Sequence, residues 1–350
     1  MSAMTRSIAV RASLALLLAI AGAAHAAAAY RAREVLGPVG SPPVWPYAMN
    51  NTGSVAGHTD DPNNAFLNDS FILNARRGYA QFQPFGAAYS RTYGINDLGD
   101  TVGYAMNSPG DMAFYKPAGK AAIALFPADD TIGSYAWDVN TSGVVTGSFV
   151  TADYRQHAFR WEAGVLTELP ALGGRFTYAG AINAAGAIAG GSNRVRNSGT
   201  HAVKWVNGVL IDLGGLGYTD AYGDGALAIN DAGWVAGYCS VANFLTHGCV
   251  WHDGVIDELP PLVAGSWSEA LDINNSNVAV GRAGYPSSTD RAVIWTNGVI
   301  SDLNEQVKLP TGVTLGTAQS INDKGQILAY GFDTVQGRVR HFVLIPVATH

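Results

Sequence analysis

An Asn followed three residues later by Gly or Asn, and then by an apolar segment, occurs seven times in this chain, at Asn50, Asn96, Asn140, Asn183, Asn230, Asn274 and Asn322. The intervals are 46, 44, 43, 47, 44 and 48 residues, the span of one propeller blade per repeat. A short unit of this kind cannot bury its apolar faces alone and must stack on copies of itself. The period therefore predicts an all-β fold, a seven-bladed β-propeller with four antiparallel strands per blade.

Two hairpins build each expected blade. In the fifth repeat the turn Asn230, Asp231, Ala232, Gly233 lets the Asn and Asp side chains bond backbone amides while Gly takes a left-handed conformation. The sixth copy carries Asn277 at the Gly position, the residue next best suited to it. The other hairpin is marked by Asn207-Gly208, Asp253-Gly254 and Asn297-Gly298, pairs that favour type I′ turns. Small residues recur four positions before the turn, at Ala136, Ala179, Ala226, Ala270 and Ala318, as a crowded inner strand requires.

The ends of the chain fit the same scheme. Residues 30–36 read as a fourth strand with no preceding three, and residues 338–345 as a third strand with no fourth. Pairing them makes the last blade from both termini and leaves no open sheet edge. Ahead of this, Arg6 and Arg11 precede an apolar run over 14–20, and Ala24, His25 and Ala26 form a small-x-small cleavage site. Residues 1–26 are thus expected to be a signal peptide, and 27–350 a single propeller domain exported to the periplasm or outside the cell. The apolar run is too short to span a bilayer, so no membrane span is expected. Cys239 and Cys249, the chain's two cysteines, are expected opposite each other on adjacent strands of one hairpin joined by a loop over 240–248, and export places them where a disulfide persists.

Composition limits the partners. The formal net charge is −6 with only 14% charged residues, and losing the leader's two arginines makes it more negative. No basic stripe is present to neutralise phosphates, which argues against nucleic acid. Forty-two glycines with 48% apolar residues fit many short strands joined by tight turns and do not fit disorder.

The runs His157-Ala158-Phe159-Arg160-Trp161 and His201-Ala202-Val203-Lys204-Trp205, each followed by Gly, an apolar strand, a Leu-Gly-Gly turn at Leu172 or Leu213 and then Ile-Asn-x-x-Gly, resemble the HAF repeats of bacterial extracellular proteins. The likeness covers the whole mature chain and is weakest in the first two repeats. There Ser70 and Met112 stand at the His position, and Asn74 and Lys116 at the Trp position. The resemblance implies a secreted repeat protein and assigns no catalytic residue. Some similar proteins end in a Pro-Glu-Pro sorting tail, and this one ends Ile345-Pro346-Val347-Ala348-Thr349-His350.

Several clusters invite a chemical reading. His157, His201, His247 and His341 share one repeat position, but third strands lie about 10 Å outside the first at ordinary strand spacing, so these rings do not converge on one ion. A structural bond to a neighbouring blade's loop is expected instead. Trp161, Trp205, Trp251 and Trp295 read as core between blades. Asp138, Asn140, Ser142 and Gly143 open like a calcium loop but lack its late Glu and coincide with the repeat's own turn. His58, Asp60 and Asp61 read as a solvated loop. No metal site or cofactor is expected.

What breaks the repeat carries more information. Five residues before each turn Asn stand Trp45, Arg91, Tyr135, Tyr178, Gly225, Glu269 and Thr317, a variety no packing rule demands. Tyr47, Tyr89, Trp137, Phe176, Tyr222 and Trp267 lie close by. Aromatic faces with scattered polar groups suit sugars or peptide segments; the competing reading is that several are core. The candidate ligand-binding residues are Trp45, Tyr47, Arg91, Tyr135, Trp137, Tyr178, Trp267 and Glu269. The expected function is a monomeric binding scaffold for a carbohydrate or protein ligand. The alternatives are a hydrolase or lyase using Glu269, Asp220 or Asp224, and a structural surface or matrix protein. If the leader is read correctly, intact-mass measurement on exported protein gives a chain starting at Ala27, and recovery of all 350 residues from the inner membrane would refute it.

Overall fold

The computed structural model describes residues 9–11, 29–60, 67–74, 77–107, 110–126, 131–195, 199–218, 223–285 and 289–347. Its hairpins follow from turn chemistry. Asn207 and Gly208, Asp253 and Gly254, and Asn297 and Gly298 all have positive φ, between 48° and 77°, the geometry that matches the twist of the flanking strands. Ala163 and Gly164 do the same at 49° and 90°, a fourth copy hidden by an Ala. At the sevenfold turn, Gly53, Gly99, Gly143, Gly186, Gly233, Asn277 and Gly325 all lie in the left-handed region.

Two hairpins per repeat give four antiparallel strands, as with Gly225–Ile229, Val235–Val241, Leu245–His252 and Val255–Leu259 in the fifth repeat. In the first they are Val44–Met49, Val55–Thr59, Ser70–Asn74 and Gly78–Phe82. The last repeat contributes Val313–Ile321, Ile327–Asp333 and Arg338–Pro346. Tyr30–Glu34 then pairs antiparallel with the third of these, Tyr30 opposite Pro346 and Glu34 opposite Phe342. The strand ends at Glu34, two residues short of Leu36, although the Val35 amide still donates to the His341 carbonyl at 2.8 Å. Arg340 secures it: its guanidinium donates to both oxygens of Glu34 and, at 2.9 Å, to Asp333.

Apolar side chains meet between successive sheets. Val144 and Ala158 of the third repeat pack with Ala179, Ile182 and Trp205 of the fourth, while Val44 and Phe71 of the first pack with Leu328 and Val343 of the last. Trp205, Trp251 and Trp295 are almost wholly buried. Their indole N–H groups donate to the carbonyls of Pro170, Gly214 and Pro260 in the preceding repeat at 2.9–3.1 Å. Ala136, Ala179, Ala226, Ala270 and Ala318 are fully buried.

The turn asparagines also bind across repeats. Each Oδ1 accepts from the backbone amide four residues ahead, as from Ala187 to Asn183 at 2.9 Å. Each Nδ2 donates to the carbonyl of the next repeat's Asn at 2.8–3.2 Å. Asn322 donates to the carbonyl of Asn50 at 3.1 Å, so the series returns to its first member. The residue after the Asn departs from the local role expected of it. Asp231 accepts from the amide of Ala184 in the preceding repeat, 2.9 Å, and Asp323 from that of Asn275, 2.9 Å.

The placement of the cysteines needs correction. Cys239 and Cys249 are disulfide-bonded, Cα to Cα 5.8 Å, but they are diagonal neighbours: Cys239 faces His247 and Cys249 faces Gly237. The strands also run on to Val241 and from Leu245, so the connection is far shorter than 240–248. As for the leader, Arg6, the run 14–20 and the site at 24–26 lie outside the described residues. The short strand Ala9–Arg11 runs parallel to Val255 to Asp257, a pairing that cleavage after Ala26 would remove. Among the described residues no helix is long and apolar enough to cross a membrane.

The inter-repeat bond can be separated from the turn. Asn183→Ala loses both and should cost about 2 to 4 kcal/mol in urea denaturation, a hydrogen bond plus an unsatisfied buried group. Asn183→Asp keeps the acceptor for Ala187 and places a carboxylate against the Asn230 carbonyl, so it should cost at least about 2 kcal/mol. An Asp variant as stable as the native chain would mean that the turn alone matters.

Candidate functional site

The innermost strand carries a β-bulge just before each turn: Ala136 faces Gly147, Asp138 faces Thr146, and Trp137 is the extra residue. In six repeats a partner glycine leaves room for the bulge, and in the last Ala329 faces Ala318. A Cβ on Gly147 would lie 2.0 Å from the carbonyl of Tyr135, and Gly57, Gly103, Gly190, Gly237 and Gly281 meet the same obstacle in their repeats. The bulge turns the residue three before each Asn toward the centre. Tyr47, Tyr93, Trp137, Gly180, Leu227, Leu271 and Gln319 therefore form one ring, and they line two cavities, one on either side of it.

The wider cavity, about 660 Å³, adds Trp45, Pro46, Gln156, Tyr178, Arg282, Thr317, Tyr330 and His341 to that ring. Its aromatic side is continuous: Tyr47 and Tyr93 have centroids 5.0 Å apart, Tyr93 and Trp137 4.8 Å. Of the sequence candidates, Trp45, Tyr47, Trp137 and Tyr178 line this cavity. The other four stand behind it. Tyr135 stacks on Trp137 at 5.7 Å and donates to Asp111, and Arg91 lies over Tyr89 at 5.2 Å. Glu269 holds Arg282 at 2.8 Å while Arg282 lies over the Trp267 ring at 5.4 Å. Phe176 is 46% exposed and away from the lining. Asp224 is buried and accepts from the Ser240 amide, 2.9 Å; Asp220, Tyr222 and Asp61 lie outside the described residues.

The histidines divide. His157 and His247 bond Glu168 and Glu258 on the outer strand of their own repeat, and His201 stands 3.5 Å from Asp212. Among the described residues only His247 bonds the loop leading to the next repeat, at the Ser266 carbonyl. His341 instead packs against Trp45 and Tyr330 at 5.1 and 5.5 Å, with no hydrogen-bond partner for either ring nitrogen among the described residues. His58 overturns its loop assignment. It is 2% exposed on a strand, stacked on Tyr47 at 5.3 Å and 3.3 Å from Asp60. Burial, with Arg91 and His341 adding repulsion, pushes its pKa down to about 3; burial lowers that of His341 to about 4.

The narrower cavity, about 370 Å³, is lined by the turn asparagines and by Asp138 and Asp272. Burial raises the Asp138 carboxyl to about 7 and that of Asp272 to about 6, against backbone hydrogen bonds that favour the charged forms. Both act as braces, accepting from Ile182 and Ile321 in the following repeats at 2.9 and 2.8 Å. Nothing in their local sequence announced this, since the amides they serve lie 44 and 49 residues away. Among the described residues no group of three or more His, Cys, Asp or Glu is placed to hold a metal.

These groups oppose one another in pH dependence. His58 and His341 are depressed below their unfolded value of 6.5, so the unfolded chain protonates first and their contribution to stability is lost as pH falls from about 6.5 toward 4. Asp138 and Asp272 are raised, so theirs is fully present below about 3.8 and is lost as pH rises through about 6 to 7. Replacing both aspartates by Asn should leave the histidine trend uncompensated. The urea midpoint should then fall more between pH 6.5 and 4.5 than in the native chain; parallel pH profiles would refute the protonated carboxyls.

No family model matches the chain, and no curated protein matches it. Among solved structures it is similar to the β-propeller domain of the trilobed protease from Pyrococcus furiosus, with a TM-score of 0.60 and 9% identity over 87% of this chain and 95% of that one. It is similar to Pyrococcus horikoshii acylaminoacyl peptidase, with a TM-score of 0.55 and 10% identity over 89% of this chain but 52% of that one. A third similar structure, YCF48 bound to D1 peptide, has a TM-score of 0.51 and 10% identity, over 91% of this chain and 96% of that one. The chain thus spans about half the length of the peptidase. At such identities the likeness speaks for the fold alone, and that fold is the β-propeller.

Proposed function

We propose that the chain is an exported HAF-repeat protein, a seven-bladed β-propeller whose last blade is completed by both termini, and that it binds a carbohydrate or protein ligand at its aromatic mouth. The return of the asparagine series from Asn322 to Asn50 and the pairing of Tyr30–Glu34 with Arg338–Pro346 support the blade count. The disulfide fits an oxidising compartment. The observation that carries the binding role is the cavity of about 660 Å³ walled by Trp45, Tyr47, Tyr93, Trp137 and Tyr178. Its size falls in the range of ligand sites, and its rings offer flat apolar faces beside polar groups.

The likeness to a propeller recorded with a bound peptide keeps peptides beside glycans in this reading. The hydrolase alternative finds no carboxylate in the mouth lining among the described residues, and hydrolysis of a glycoside by the usual route needs two.

Glycan and peptide arrays probed with the full chain test the proposal. Trp137→Ala and Tyr178→Ala should each weaken binding by about 1 to 3 kcal/mol with the fold intact. Trp205→Ala, in the core between blades, should destabilise by about 3 to 5 kcal/mol. Mouth variants that unfold as readily as Trp205→Ala would make those rings core and overturn the reading.

A further inference from the structure

The wide cavity is lined by a single permanently charged residue. Arg282 is its only Arg, Lys, Asp or Glu among the described residues, on a chain that carries more acids than bases. His341, the other titratable nitrogen there, is held neutral by burial. Arg282 is also aimed. Its Nε and Nη2 both grip one oxygen of Glu269, at 2.9 and 2.8 Å, and its plane is backed by Trp267. Glu269 does not reach the lining. Arg282 lines the cavity, and its Nη1 has no protein partner among the described residues.

The other polar groups are set as acceptors. Gln319 Nε2 donates to the Tyr47 carbonyl at 3.1 Å and Gln156 Nε2 to Ser148 Oγ at 2.9 Å, which leaves each Oε1 without a protein partner among the described residues. Two amide oxygens and a neutral imidazole suit a ligand rich in O–H donors. The aromatic wall has centroids 4.8 and 5.0 Å apart, so its rings touch and leave no slot for a protruding side chain. A wall of that kind matches a flat face of C–H groups.

We infer that the mouth is specific for an acidic sugar: a hexuronic acid residue whose ring stacks on the Tyr47, Tyr93 and Trp137 wall, whose hydroxyls donate to Gln156 and Gln319, and whose carboxylate meets Arg282. This rests on the mouth being the ligand site. Its added content is the carboxylate, which Arg282 would meet through Nη1, with its Nε and Nη2 kept on Glu269.

The test pairs oligosaccharides of galacturonate, glucuronate and mannuronate with their carboxyl-reduced neutral counterparts, titrated calorimetrically into the full chain. At least one uronate should bind tenfold or more tighter than its reduced partner, with the difference shrinking as salt rises. Arg282→Gln should abolish that difference, and Arg282→Lys should fall between; an unchanged melting temperature certifies each variant. No discrimination in any pair, or discrimination that survives Arg282→Gln, overturns the inference. The broader reading is judged separately: if some glycan or peptide binds and Trp137→Ala removes it, the mouth remains the site, and if Trp137→Ala leaves that binding intact, the mouth itself is wrong.

Discussion

Each turn asparagine uses its side-chain amide in two directions. Oδ1 accepts from its own hairpin while Nδ2 donates to the next repeat's backbone. A primary amide is a short side chain that both donates and accepts at fixed geometry; Ser would reach less far, and Asp accepts without donating. Repeated from Asn50 to Asn322 and back, this bond sets the spacing of the inner strands at one end of the channel. With that spacing fixed, apolar faces meet in pairs between sheets, and the other end is released from structural duty.

Much of the fold was legible because it is local. A type I′ turn requires positive φ at two adjacent residues, and Asn207-Gly208, Asp253-Gly254 and Asn297-Gly298 state that in two letters. Ala163-Gly164 adopts the same geometry without the usual signal and went unread. The bulge was invisible because its cause is a close approach between strands. The glycine of Gly147 and its counterparts looks like ordinary strand glycine until the opposing carbonyl is placed 2.0 Å from its missing Cβ. The cysteines were read as opposite rather than diagonal for a related reason: their strands extend further through the hairpin than composition suggests.

The site was half legible. Departure from the repeat singled out the position five before the Asn, and Trp45, Tyr178 and Thr317 do line the cavity. The deeper ring depends on the bulge, so Tyr93 and Gln319 were missed although Tyr47 and Trp137 of the same ring were named. His341 was grouped with three histidines that it resembles in position but not in partners, since Trp45 and Tyr330 surround it where the others face carboxylates. Arg282 carried no signal. Only its cavity, and Glu269 at 2.8 Å, distinguish it from any surface arginine on a strand.

The repeats that depart most from the pattern are those that build the aromatic wall. In the first two, Asn74 and Lys116 stand where repeats three to six have a buried Trp, and the inter-sheet space is filled instead by Phe71 stacked on Tyr79 and by Phe82 set edge-on to Phe114. These same repeats, with the third, supply Tyr47, Tyr93 and Trp137. Repeats three to six keep the Trp core, and four to six turn Gly180, Leu227 and Leu271 inward, leaving open the space the wall faces. Because the asparagine bond constrains every repeat equally, the first two can diverge in core and the first three in channel without altering the frame. The asymmetry of the mouth is thus a consequence of a symmetric restraint at the other end of the channel.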